Sequence, residues 1–300
     1  MLLTPRRIAV LFALDLAVVG MFVLGLVDLR RHDVAFGVNQ WGYRGQARAE
    51  KGPGPELRVV VLGGSAAFEA GMPWTQVFVA DLGTELQKAG NLTDQGFSVA
   101  NLSEPNIGAD SYPGILRHYR FLEPDILCIF DGYDDATGLP PHARERSAMF
   151  RLTGYLPLLP ARVLGRAAWL SDPDRGVAPR LGDQGGAADV TCAGESRSYC
   201  AAMIEAVRVA VDEEHLPTVV VSPPAVSERY VQQQHSLAST LQATFGSNPR
   251  FRYLDVWEVD LRKRENSPDG VHRTAVGNHE VSVRIAKALI GWLAAGWGRR

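Results

Sequence analysis

Two stretches far apart in the chain carry side chains able to do covalent chemistry. The first, RVVVLGGS, runs from Arg58 to Ser65 and ends in a serine. The second, SPDGVHRTAVGNH, places Asp269 three residues before His272, just ahead of a helical pattern. Residues three apart in a turn or first helical turn share a face. A carboxylate there can hold the imidazole by one ring nitrogen and leave the other free to take a proton. A serine hydroxyl brought to that nitrogen would be a nucleophile. Each stretch also has a plainer reading. Gly-Gly-Ser is an ordinary polar turn, and a chain with seven histidines will show an Asp-x-x-His pair by chance. His279, further along, reads as a structural residue of the closing helix.

For the two stretches to act together, the fold must join them. Val59–Leu62 is a continuous apolar run bounded by turn residues, the pattern of a strand buried on both faces. The glycines after it allow a tight turn and leave room beside the backbone. Further strands are expected at Phe97–Leu102, Asp125–Phe130, Pro217–Ser222 and Phe251–Val256. Helices are expected at Trp74–Ala89, Ser111–Leu122, Ser196–Glu214, Ser227–Phe245 and Thr274–Ala295. In the first of these Val77, Phe78, Leu82 and Leu86 recur at helical spacing. Strands alternating with helices predict a parallel sheet with helices on both faces. In such a sheet the carboxyl ends of all strands lie along one edge, where open α/β folds bind ligands. Ser65, the turn Asn106–Gly108, the turn Gly132–Asp135 and the pair Asp269 and His272 each follow a strand. Residues distant in sequence therefore meet at that edge.

The 300 residues allow one large domain or two small ones, and an apolar fraction of 46% supplies a core. A net charge of -2 gives no case for nucleic acid or another polyanion as partner. No metal-ligand cluster is visible, and the GGS turn lacks the lysine of a P-loop, so no metal or cofactor is expected. Ile8 to Val27 holds one charge, Asp15, and is long enough to span a bilayer. It ends in Gly25-Leu26-Val27-Asp28, a poor cleavage site, which favours an uncleaved anchor over a signal peptide. Arginines flank both ends and leave the orientation open. Residues 1–30 are thus read as a transmembrane anchor and 31–57, rich in glycine and proline, as an irregular linker containing VNQWGYRG. Residues 136–195 break the strand–helix rhythm and read as an insertion, with an apolar patch suited to a lid or a membrane-near position. Cys128, within DILCIF, reads as a small buried hydrophobe. Cys192 and Cys200 form a disulfide if the domain lies outside the cytoplasm, and are two free thiols otherwise.

The order and spacing of these elements resemble the SGNH, or GDSL-type, hydrolase family, over roughly residues 37–295. The resemblance is carried by Ser65 in GGS, Gly108, the GYDD turn Gly132–Asp135, and the Asp269–His272 pair. VNQWGYRG, PDILCIFDGYDD and DGVHRTAVGN are similar to the membrane-anchored bacterial branch, in which an N-x-x-G-x-R-G element joins the anchor to a GGS-type first block. The resemblance implies a flavodoxin-like three-layer α/β/α sandwich with a five-stranded parallel sheet over 58–297. It implies Ser65 as nucleophile, His272 as base and Asp269 as its orienting carboxylate. Backbone N–H groups of Ser65 and Gly108 would form the oxyanion hole. With the cysteine pair, it also implies a cytoplasmic N-terminus and an extracytoplasmic, periplasmic domain.

Two positions depart from the family pattern. Glu69 stands where the first block usually has a glycine four residues after the serine, with Gly71 two further on. Asp134 stands where the third block usually has an asparagine that donates to the oxyanion. An ionised carboxylate only accepts, and losing one oxyanion donor costs about 10²–10³ in rate. Asp134 is then protonated, or turned away so that Ser65 and Gly108 make the hole alone, or it marks a weak or inactive enzyme. The expected function is a serine esterase acting on an acyl ester of an envelope glycan or lipid. The alternatives are an inactive envelope protein binding an acylated glycan or a partner, and an acyltransferase.

Overall fold

The computed structural model describes residues 5–31, 38–39, 41–48, 51, 55–69, 71–90, 96–104, 107–131, 152, 189–225, 227–261, 263–267 and 273–297. Asp134 with the rest of Gly132–Asp135, Asp269 and His272 lie outside the described residues. So does the expected insertion, apart from Leu152 and residues 189–195.

Five strands form one parallel sheet: β1 (Glu56–Leu62), β2 (Gly96–Asn101), β3 (Ile126–Phe130), β4 (Thr218–Ser222) and β5 (Phe251–Asp255). Their order is β2-β1-β3-β4-β5, the flavodoxin-like order. Val61 lies opposite Asn101 of β2 on one side and Cys128 of β3 on the other. Successive side chains of a strand alternate between faces, so the unbroken apolar run of β1 divides between two cores. Val60 and Leu62 join Leu127, Ile129 and Val220 on one face. Val59 and Val61 join Ile126, Cys128, Phe130 and Val221 on the other. Burying each such side chain fully is worth about 1.5–3 kcal/mol, which is why both faces need a helical layer.

Helices α4 (Tyr112–His118), α5 (Arg197–Arg208) and α6 (Glu228–Phe245) cover the first face. Helices α3 (Phe78–Gly90) and α7 (Ala275–Ala294) cover the second. The three-layer α/β/α sandwich implied by the sequence is present. Two helices are less continuous than their periodicity suggests. The stretch expected to be helical from Trp74 is a 3-10 turn over Trp74–Gln76, and α3 starts only at Phe78. The break falls there because a side chain from outside the helix, Glu69, accepts the Phe78 N–H at 2.9 Å. The stretch expected to be helical over Ser111–Leu122 is α4 flanked by 3-10 turns at Ala109–Ser111 and Arg120–Leu122. Helix α5 runs on as a π-helical turn, Val209–Glu213.

Helix α1 (Pro5–Arg31) precedes the sheet. Its Val10–Asp28 stretch has mean hydropathy 2.6. Its apolar side chains face outward, with Phe12 and Phe22 about two-thirds exposed at 67% and 66%. This helix is long and apolar enough to cross a membrane or to serve as a signal sequence. Part of the glycine-rich stretch after it is docked rather than loose. Tyr43 and Arg44 are fully buried, and Arg44 bridges backbone to backbone with Asn101 at the end of β2. Cys192 and Cys200 are disulfide-bonded, and Cys128 is free and buried.

Candidate active site

Ser65 sits where the strand order reverses, just past the end of β1 and between β2 and β3. It opens α2 (Ser65–Phe68), a short helix where the sequence suggested only a turn. Gly63 makes this strand-to-helix turn sterically feasible. A Cβ there would lie 2.1 Å from the Phe130 carbonyl oxygen and 2.7 Å from the Ala67 Cβ. The end of β1 therefore lies against the end of β3, and Ser65 is left half-buried at the sheet edge.

The loop after β2 runs along the same turn. Leu102 N donates to the Val61 carbonyl at 2.8 Å, and Glu104 N to the Gly63 carbonyl at 3.1 Å. Asn101, fully buried, donates from Nδ2 to the Ala67 carbonyl at 2.9 Å and accepts from Ser103 N at 3.0 Å. The same loop reaches Gly108, half-buried and extended at φ -109°, ahead of α4. Ser65 and Gly108 thus share the carboxyl edge of the sheet, as expected. Asp131 follows β3 on that edge. It is buried, and among the described residues its Oδ2 has no hydrogen-bond partner.

Three buried charges support α2 from beneath. Glu69 caps its end in a left-handed conformation, φ 56° and ψ 59°, which costs a non-glycine residue about 1–2 kcal/mol. Glu69 Oε2 accepts from Phe78 N, and Oε1 accepts from Arg273 Nη2 at 2.7 Å. Arg273 Nη2 also donates to the Ala66 carbonyl at 2.5 Å, and its Nε to Asn278 Oδ1 at 2.7 Å. Its guanidinium lies against the rings of Phe78 and Phe130, 5.3 and 5.0 Å from their centres. Arg44 comes from the other side. Its Nη1 donates to the carbonyls of Phe68 and, at 2.6 Å, Glu69, and its Nη2 to that of Met72. Burial pushes the Glu69 carboxyl above its usual range, against the pull of Arg273, the Phe78 N–H and Arg44. Burial likewise lowers the Arg44 guanidinium, opposed by Glu69.

The glycines of VNQWGYRG present Arg44. Asn39 N donates to the Tyr43 carbonyl at 2.8 Å and Asn39 Nδ2 to the Gly45 carbonyl at 3.1 Å, closing a turn. Gly45 has φ 98°, and a Cβ on it would meet the Trp74 ring at 2.7 Å. The motif is thus a local device that points a cation inward beneath the serine.

Both flanks of the segment carrying Asp269 and His272 are described. Thr274 N donates to the Asn266 carbonyl at 2.8 Å, so the chain leaves and returns at one point. Gly277 permits this, since a Cβ there would lie 2.4 Å from the Asn266 carbonyl oxygen. The returning end is Arg273, bonded to Ala66 next to Ser65. Arg44, Asn101, Asn278 and Arg273 carry no signature of this role in the sequence alone. The usable clue was the charge at Glu69, where the resembled pattern has glycine.

His279 lies elsewhere. Its Nδ1 is 2.7 Å from Asp81 Oδ2 on α3, tying α7 to α3. With Glu85 these residues could hold a metal ion, their ligand atoms lying within 4.8 Å of one another. Asp81 is engaged by His279, however, and Glu85 by Lys88 at 2.6 Å. A cleft of about 430 Å³ opens at the opposite, amino edge of the sheet, lined by Lys51, Arg120, Asp125 and Glu214. Within it Lys51 pairs with Asp125 and Arg120 with Glu214.

No protein-family model matches the sequence, and no curated protein matches it. Among solved structures, a lipase from a goat rumen metagenome is similar at TM-score 0.47 and 16% identity, over 81% of this chain and 99% of that one. A psychrotrophic esterase from Pseudoalteromonas, inhibited by monoethylphosphonate, is similar at TM-score 0.46 and 13% identity, over 79% and 98%. A Clostridium thermocellum family 3 carbohydrate esterase is similar at TM-score 0.46 and 12% identity, over 81% and 99%.

Proposed function

We propose that the chain is a membrane-anchored serine esterase of the SGNH type. The observation that carries this reading is the bond from Arg273 Nη2 to the Ala66 carbonyl. It joins the residue directly after His272 to the residue directly after Ser65. Consecutive Cα atoms are only about 3.8 Å apart, and this closeness of the neighbouring residues supports pairing the proposed base with the proposed nucleophile. In this reading His272 takes the Ser65 proton as the hydroxyl attacks an ester carbonyl, and returns a proton to the leaving alcohol. Asp269 orients the imidazole and stabilises its charged form. The N–H groups of Ser65 and Gly108 bind the oxyanion. Water then releases the acyl group, or a second alcohol takes it, which would make the protein an acyltransferase.

The substrate class proposed is an acyl ester of a cell-envelope glycan or lipid. Helix α1, read as a single-pass anchor, would hold the site near a bilayer, and the Cys192–Cys200 disulfide suits an oxidising, extracytoplasmic compartment. Asp134 favours a second reading, a protein that binds an acylated ligand without turnover, because an ionised carboxylate would repel an oxyanion.

The test is hydrolysis of a short-chain aryl ester by the full-length protein in detergent, beside Ser65→Ala and Asp134→Asn. Turnover that Ser65→Ala abolishes is the expected result. No turnover by the natural protein, with turnover by Asp134→Asn, would replace the esterase reading with the binding one.

A further inference from the structure

We propose that Glu69 and Arg273 form a buried clamp that fixes the chain at Arg273 against the Ser65 turn, which makes Arg273 a positioning residue for acyl transfer. The inference deepens the esterase reading and rests on it for its catalytic consequence. Its geometric content stands apart.

Stability alone does not account for this pair. Both side chains are almost wholly removed from water, 5% and 1% exposed. Desolvating two charges offsets most of their attraction, and well-packed apolar residues do as well or better in such places. The carboxylate also sits on a left-handed residue that a glycine would occupy without strain. What the pair supplies is direction. Glu69 has both oxygens committed, one to the start of α3 and one to Arg273. Arg273 divides its donors between Glu69, the Ala66 carbonyl and Asn278, with its plane fixed against Phe78 and Phe130. A planar fork held this way has one orientation, which a lysine ammonium cannot reproduce. Arg44 holds the far side of the same turn, through the carbonyls of Phe68 and Glu69, so the clamp closes on a fixed anvil. Displacing a reacting group by about 1 Å costs roughly 100-fold in rate, and Arg273 adjoins the proposed base in the chain.

The experiment compares the full-length natural protein with Arg273→Gln, Arg273→Lys and Glu69→Gln in detergent, by two readouts. The first is hydrogen–deuterium exchange of peptides covering residues 65–72 and 265–274. The clamp predicts faster exchange in both peptides for Arg273→Gln, with the strands unchanged. The second is the rate of Ser65 modification by a fluorophosphonate probe and of aryl-ester hydrolysis. Arg273→Gln is expected to lower kcat roughly 100-fold with KM nearly unchanged. Arg273→Lys should not rescue it. Glu69→Gln, whose amide keeps only one of the two carboxylate acceptors used by Phe78 N and Arg273, should fall in between, and it serves if Arg273→Gln does not fold. Unchanged exchange in folded variants overturns the clamp. So does loss of kcat fully restored by Arg273→Lys, because a point charge would then suffice. If Ser65 of the natural protein neither labels nor turns over, while exchange rises as expected, the clamp stands and the esterase reading falls.

Discussion

Arg44 and Asn101 are hydrogen-bonded through their backbones, Arg44 N to the Asn101 carbonyl at 2.9 Å, and both then send their side chains to α2. Asn101 reaches the Ala67 carbonyl and Arg44 the carbonyls of Phe68 and Glu69. The short helix bearing Ser65 is thus held by residues from the stretch after α1 and from the end of β2. A four-residue helix has no stability of its own, so its shape is set by these donors.

Replacing Arg44 by Met would leave the carbonyls of Phe68, Glu69 and Met72 without that donor in a buried place. Each unsatisfied buried group costs about 1–3 kcal/mol. We expect a loss of at least about 3 kcal/mol in chemical unfolding. Arg44→Lys should recover only part of it, because one ammonium cannot match the fork.

Gly63→Ala should be far more damaging than its single methyl suggests, since the new Cβ would overlap the Phe130 carbonyl oxygen at 2.1 Å. Either β1 and β3 separate or the Ser65 turn shifts, and a loss of about 3 kcal/mol or more is expected. Gly291→Ala is the control. A Cβ there meets nothing within 4 Å, and on α7 the change should stabilise by about 0.5–1 kcal/mol. Equal effects of the two substitutions would contradict the packing described for Gly63.

The Glu69 carboxyl, raised by burial, gives a pH dependence of defined sign. A carboxyl with a higher pKa when folded binds its proton more tightly in the native state. Its contribution is complete below the unfolded value, near 4.5, and is lost as pH rises through the folded value. Glu69→Gln does not titrate. Urea unfolding across pH should therefore show the natural protein losing ground to Glu69→Gln as pH rises above about 4.5. A difference that stays flat with pH would mean that Arg273 fully offsets the burial.

The three cysteines should separate cleanly in alkylation. Burial pushes the Cys128 thiol up to about 12, so it should resist iodoacetamide in the native protein and react once unfolded. Without reductant, Cys128 should be the one residue modified after unfolding. The disulfide closes a short loop, eight residues in separation, and its loss should cost about 2.5 kcal/mol by the chain-entropy estimate. Cys192→Ala with Cys200→Ala tests this by chemical unfolding.

The strands were legible in the sequence because a strand buried on both faces has to be apolar throughout, and their ends fell within about three residues of the expected ones. The carboxyl edge followed from the strand–helix alternation, which is why Ser65 and Gly108 lie where expected. What stayed hidden was long-range. Nothing local says that α3 should begin at Phe78, since the residue that caps it is Glu69, outside the helix. The role of Arg273 depends on Ala66 and Glu69, more than 200 residues away (separations of 207 and 204). Arg44 was masked by its composition, because a charge among glycines reads as solvent-exposed loop. Its burial follows from the Asn39 turn and from the rings and carbonyls waiting beneath α2.

The docking of Arg44 also sets a distance. With α1 in a bilayer, as proposed, the chain from Arg31 to Arg44 spans at most roughly 45 Å even when fully extended. Arg44 in turn is bonded to the helix that Ser65 opens. On that reading the anchor would act as a ruler as well as a tether. For an esterase so anchored, ester bonds within a few nanometres of the bilayer surface would be within reach. Those deeper in a surrounding wall or on an opposing membrane must be brought to it.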